Sequence, residues 1–126
     1  MKKIVFLCVE NSCRSQIAEA FANLHGSNKV LAFSAGSNPS GSVNPKAIKL
    51  MKERNYDLSK HESIHTDALP DVQIDKMVSM GCGDSCPTIR AKERIEWDIP
   101  DPKDMDEDEF RQVIKEIETK VLELLN

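Results

Sequence analysis

The stretch FLCVENSCRSQIAEAF, Phe6–Phe21, decides the fold. Phe6 and Leu7 close a run of four consecutive apolar residues begun by Ile4 and Val5, the mark of a buried strand. Cys8 follows, then five residues, then Arg14. From Ser15 to about His25 the apolar residues Ile17, Ala18, Ala20, Phe21 and Leu24 recur at helical spacing, and Gly26 supplies a stop. A strand that turns this abruptly into a helix points successive backbone N–H groups into one concavity. That nest and the positive end of the helix dipole favour an anion. The same field favours a thiolate at Cys8, and Ser15 is placed to donate a hydrogen bond to its sulfur. Arg14 offers a planar fork that matches two oxygens of a tetrahedral oxyanion, and Asn11 tolerates the left-handed backbone of a tight turn. Either residue alone would be ordinary; the ordered string, strand before and helix after, points to an oxyanion site with its own nucleophile. The glycines and Lys-Ser/Thr ending of a nucleotide P-loop are missing.

Outward from this stretch, KVLAFS (Lys29–Ser34) predicts a second strand, and AGSNPSGSV a Gly/Ser/Pro loop. Asn44 and Pro45 form an N-cap and first-turn signature for a helix through Ile48, Met51 and Lys52. Residues 55–71 are polar with little periodicity. KMVSM (Lys76–Met80) predicts a third strand ended by Gly-Cys-Gly, and RIEW (Arg94–Trp97) a fourth. Phe110, Val113, Ile114, Ile117, Val121 and Leu124 form the stripe of a last helix, with Asp106 and Glu109 as a capping-box variant. This order predicts an α/β domain with a parallel sheet, helices on both faces, and ligands at the carboxyl ends of the strands. Cys8, Ser34, Cys82 and Asp101 each end or follow a strand, so the fold would bring them to one edge.

The 126 residues suit a single domain spanning 1–126, large enough to bury a core without disulfides or zinc. The formal net charge of −4, with acids gathered in DPKDMDEDEF (Asp101–Phe110), excludes a nucleic acid as partner, because phosphate-backbone binding needs a basic face. No apolar run reaches bilayer length and none reads as a signal peptide, which leaves a cytoplasmic chain, with no membrane partner and nothing marking an interface, hence a monomer. In a reducing compartment four cysteines mean chemistry or metal more often than structural disulfides. Cys82 and Cys86 read as a redox pair, half a metal site, or inert thiols. No second cysteine pair completes zinc, and His61 and His65, four apart in a polar stretch, read as solvated, so no metal site is assigned.

CVENSCRS fits the Cys-x5-Arg-Ser/Thr signature of the low-molecular-weight protein tyrosine phosphatase family, and NSCRSQ resembles its arsenate reductase branch, with Gln16 where the phosphatases usually carry proline. FSAGSNPSGSVNPKA resembles the reductases' second-strand segment and EWDIPDP the family's Asp-Pro loop, so the resemblance covers nearly the whole chain. It implies a three-layer α/β/α fold around a central four-stranded parallel sheet. It also implies Cys8 as nucleophile, Arg14 as oxyanion binder, Asp101 as general acid, and Glu10, Asn11, Ser12, Cys13, Arg14 and Ser15 as the oxyanion loop. Asp98 competes for the acid role but fits the family less well. Protonating a poor leaving group is worth ~10²–10⁴-fold.

A thiol-dependent arsenate reductase would bind arsenate or a phosphate-like oxyanion and pass electrons through Cys8, Cys82 and Cys86 from thioredoxin or a similar dithiol, with no organic cofactor. Gly81 and Gly83 would let the Cys82 segment move, while Cys13 has no required step. Thioredoxin-coupled members place six residues between the last two cysteines; this chain has three. The family's reductases can also carry a structural potassium ion, and Asn11, Glu19, Ser34 and Asp67 match the positions that would coordinate it. Glu10 stands where relatives often have glycine or a neutral residue, and is expected to point to solvent so as not to repel substrate. The alternatives are a phosphatase using Cys8, Arg14 and Asp101, and a catalytically silent oxyanion or thiol sensor. No aromatic residue in Ile99–Asp104 could clasp a phosphotyrosine ring.

Overall fold

Ile4, Val5, Phe6 and Leu7 are all buried because their strand lies at the centre of the sheet and is covered on both faces. The computed structural model describes residues 1–81 and 89–126. Strand β1 (Lys2–Cys8) is flanked by β2 (Val30–Gly36) and β3 (Ile74–Met80), and β4 (Ala91–Trp97) completes the order β2-β1-β3-β4. Every pairing is parallel: Cys8 stands opposite Gly36, Leu7 opposite Ser79, and Met80 opposite Trp97. The carboxyl ends of all four strands therefore share one edge, as expected. The chain order reverses beside β1, whose neighbours are reached in opposite directions, and this is where such sheets open a crevice.

Helices α1 (Arg14–Gly26), α2 (Pro45–Lys52) and α3 (Glu107–Leu125) share one core with the even-numbered residues of β1. Phe6 shares that core with Ile17 and Phe21 of α1, Leu50 and Met51 of α2, and Phe110, Ile114 and Ile117 of α3. Each fully buried side chain of this size stabilises the fold by roughly 1.5–3 kcal/mol. The other face, carrying Val5, Leu7, Ala35, Ile74 and Met77, packs against Ile64, Leu69 and Ile89. The fold is thus three-layered around a four-stranded parallel sheet. Among the described residues its second outer layer is made of extended chain and a 3-10 turn (Thr66–Ala68) rather than a long helix. The polar stretch 55–71 forms this layer; too short in its apolar runs for helical periodicity, it covers the sheet with isolated residues such as Ile64 and Leu69.

Two helices start as their sequences dictate. The Asn44 side chain accepts from the N–H groups of Lys46 and Ala47, and Asp106 accepts from that of Glu109. Helix α1 differs: its N-cap, Cys13, makes no side-chain capping hydrogen bond. The first N–H groups of α1 are left for a ligand.

Candidate active site

The loop from Val9 to Cys13 has its carbonyls turned outward and satisfied from behind. Val9 O accepts from Asn38 N at 2.9 Å, Glu10 O from Ser40 N at 3.0 Å, and Ser12 O from Asn44 N at 3.0 Å. Asn11 O accepts from the Gln16 side chain at 3.0 Å. A trans peptide sets its N–H opposite its carbonyl, so the amides of Glu10, Ser12 and Cys13, all lining residues, turn the other way, toward a cavity of about 350 Å³ that Cys8, Arg14 and Asp101 also line. Gly36 permits this close backing: a Cβ there would overlap the Val9 carbonyl.

Asn11 has φ +49°, the left-handed conformation expected of it, and is fully buried. Its Oδ1 accepts from Ile64 N and from Gln16 Nε2, which fixes the amide so that Nδ2 donates to Ser15 Oγ at 2.7 Å. With its oxygen so engaged, the Ser15 hydroxyl has its proton free for the Cys8 sulfur, 2.9 Å away. Gln16 is oriented in turn. Its Nε2 faces three acceptors, including Glu62 O, and its Oε1 meets His61 Nδ1 at 2.9 Å. An amide oxygen only accepts, so His61 carries its proton on Nδ1, and Nε2 accepts from the Tyr56 hydroxyl at 2.6 Å. Burial first, and then the Lys60 charge, push the His61 pKa down to about 4. His61 is therefore neutral near pH 7, and its 3.8 Å approach to Glu19 is no ion pair there. The reading of His61 as solvated is corrected: its side chain is only 6% exposed. The polar sequence around it hid an internal network whose members come from α1 and the 55–71 segment.

Arg14 is buried, with Nη1 donating to Ile99 O at 3.0 Å and Nη2 standing 3.9 Å from Asp101 Oδ2. Gly81, with φ +71°, leaves the space the guanidinium occupies; a Cβ there would overlap Nη1. That role in positioning Arg14 is separate from the mobility expected of it. Asp101 lines the cavity, its Oδ1 accepting from Lys103 N at 3.1 Å, while Asp98 is exposed and lies outside the lining. Cys13 also lines the cavity, and burial, with the charges of Asp101 and Cys8 adding to it, pushes its thiol up to about 12. It stays protonated at neutral pH. Glu10 neither points freely to solvent nor faces the sulfur: its Oε2 is 3.0 Å from Lys103 Nζ at the cavity rim. Sequence reasoning missed Lys103, whose only signal was its place beside the Asp-Pro pair. Cys82 and Cys86 lie outside the described residues.

Of the residues matched to potassium, Asn11 and Ser34 are buried and Glu19 lies beside Ser34. Asn11 Oδ1 accepts from Ile64 N and Gln16 Nε2, and Ser34 donates its hydroxyl proton to Glu19, which leaves oxygen lone pairs on Ser34 and Glu19. The Asp67 carboxylate is 93% exposed beside His65. Burial pushes the Glu19 pKa up, with Ser34 and Lys60 opposing.

A parallel sheet with a Cys-x5-Arg loop at its reversal point, backed by carbonyl-satisfying chain and faced by an aspartate, is the architecture of a phosphatase-like α/β domain. The chain belongs to the low molecular weight phosphotyrosine protein phosphatase family, whose model matches residues 3–126. Arsenate reductase 1 of Staphylococcus epidermidis is 40% identical over 126 residues, covering 95% of this chain and 92% of that protein. The glutaredoxin arsenate reductase of Synechocystis is 34% identical, covering 99% and 97%. Among solved structures, an arsenate reductase in the phosphate binding state superposes with a TM-score of 0.90 at 34% identity, covering 99% of this chain and 97% of that one. A thioredoxin-dependent arsenate reductase of Corynebacterium glutamicum gives 0.74 at 28% identity, covering 99% of this chain and 60% of that one.

Proposed function

We propose that this chain reduces arsenate to arsenite in the cytoplasm, using Cys8, Cys82 and Cys86 as a thiol relay. The observation that carries the reading is the Cys8 sulfur, held by the Ser15 hydroxyl on the wall of a cavity that Arg14, Asp101 and the loop residues Glu10, Ser12 and Cys13 also line. Cys8 thiolate attacks arsenic, and Asp101 gives its proton to the departing hydroxide, which leaves as water. Arg14 and the loop amides hold the remaining oxygens, whose charge grows as the sulfur–arsenic bond forms.

Two electrons must then reach arsenic. Cys82 follows Gly81, itself a lining residue, directly in the chain. Cys82 thiolate attacks the Cys8 sulfur; the sulfur–arsenic bond breaks with its electron pair on arsenic, releasing arsenite and leaving a Cys8–Cys82 disulfide. Cys86 thiolate attacks Cys82 and frees Cys8 as thiolate. A dithiol protein of the thioredoxin or glutaredoxin class reduces the resulting Cys82–Cys86 disulfide. The three-residue spacing of that pair closes a short loop at little entropic cost. Cys13, protonated and buried, takes no step.

The test couples purified protein and arsenate to thioredoxin or glutaredoxin, with the matching reductase and NADPH. NADPH consumption that depends on arsenate is expected with one of the donors, and Cys82→Ser should abolish it while slow aryl phosphate hydrolysis persists. Arsenate turnover intact in Cys82→Ser would refute the relay. Fast aryl phosphate hydrolysis with no arsenate reduction would make the chain a phosphatase using Cys8, Arg14 and Asp101.

A further inference from the structure

Glu10 raises a problem that the loop's own chemistry leaves open: a carboxylate on the anion-binding turn should weaken anion binding. The structure pairs it across the cavity mouth. Glu10 Oε2 lies 3.0 Å from Lys103 Nζ, and both residues line the cavity. Lys103 belongs to the segment after β4, where its backbone N–H donates to Asp101 Oδ1 at 3.1 Å.

The position matters because of how displacement at a tetrahedral centre proceeds. Cys8 attacks opposite the leaving oxygen, and that oxygen must lie by the carboxylic acid that protonates it, Asp101. Whatever the leaving oxygen carries has to pass Asp101 on its way out. Two residues further along the chain stands Lys103, tied to Glu10 of the loop after β1. A free arsenate or phosphate ion loses only water on this side. A phosphomonoester carries its ester group into the space the ion pair spans.

Resting on the oxyanion chemistry assigned to Cys8, we infer that the Glu10–Lys103 pair is a specificity bar, which admits unsubstituted tetrahedral oxyanions and obstructs phosphomonoesters with bulky ester groups. The pair also offsets the Glu10 charge, so the carboxylate can remain beside an anion site. Both side chains are substantially exposed, 38% for Glu10 and 50% for Lys103. The bar is therefore one that opens, since exposed pairs are worth little. It tunes a ratio of substrates and does not forbid one.

The experiment measures two quantities in the wild type, Glu10→Gln, Glu10→Gly, Lys103→Ala and the charge-swapped Glu10→Lys/Lys103→Glu double variant. One is kcat/KM for para-nitrophenyl phosphate. The other is the affinity for inorganic phosphate, read as protection of Cys8 from alkylation. The ratio of the first to the second should rise by about fivefold in the three single variants, the factor set by an exposed ion pair, and return toward the wild-type value in the swapped variant. Glu10→Gln keeps the side chain's size, so a rise there excludes disturbance of the loop backbone as the cause. If the two quantities move together in every variant, leaving the ratio unchanged, the residues act through charge alone and the bar is refuted. A wild type whose Cys8 phosphate does not protect would instead overturn the oxyanion reading itself, and the bar with it.

Discussion

Arg14 is aimed by a residue that has no side chain. Gly81 sits at the end of β3 with φ +71°, and a Cβ there would enter the volume of Nη1. Gly81→Ala should push the guanidinium away from the cavity and forfeit a charge-assisted contact to the oxyanion. A phosphate affinity lower by roughly ten- to a hundredfold is expected, measured by Cys8 protection; unchanged affinity would show that Arg14 is held by Ile99 O alone. His61 acts at the same scale but on stability. Its folded pKa is about 4 against an ordinary 6.5, so the unfolded chain binds the extra proton between these values. The stability from neutral, buried His61 is present above pH 6.5 and is lost as the pH falls toward 4. Urea midpoints across that window should fall less steeply in His61→Gln than in the wild type. Glu19, whose pKa burial raises, titrates in both proteins, so the difference between them reads His61 together with its coupling to Glu19, 3.8 Å away.

At the scale of elements, the caps separate helices that hold the fold from the helix that serves the site. Asp106→Ala removes the acceptor for Glu109 N and should lower stability by about 1 kcal/mol, while Cys8 protection by phosphate stays as in the wild type. Chemical denaturation and labelling read the two effects separately. β1, α2 and α3 were legible in sequence because each carries a strong local signal: four consecutive apolar residues, an Asn-Pro cap, and a long stripe of which Phe110 to Val121 is buried. Strand β4 begins at Ala91, before the expected Arg94, because Lys92, Glu93 and Arg94 lie on an exposed edge where alternation carries no information. The anion loop was legible from residue order, since thiol, left-handed Asn, Arg and Ser each answer a separate need of the turn. The Gln16–His61–Tyr56 support and the Glu10–Lys103 pair were not. Each depends on chain returning from 40 or more positions away, which no local pattern encodes.

The whole molecule sets a charge of −4 against a pocket built for an anion. The conflict is resolved locally by Arg14, the backbone amides and the uncapped start of α1, while Lys103 offsets Glu10 at the rim. Parallel strands gather these parts from β1, from the segments after β2 and β4, and from the end of β3, so the site is a property of the topology and not of any one segment. Timed alkylation of the reduced protein by iodoacetamide, with and without phosphate or arsenate and with the labelled cysteine mapped by mass, tests this most directly. The account predicts that Cys8 is alkylated well ahead of Cys13 at neutral pH, and that either oxyanion protects it saturably while chloride at equal ionic strength does not. Alkylation of Cys8 at the same rate with saturating oxyanion would contradict it.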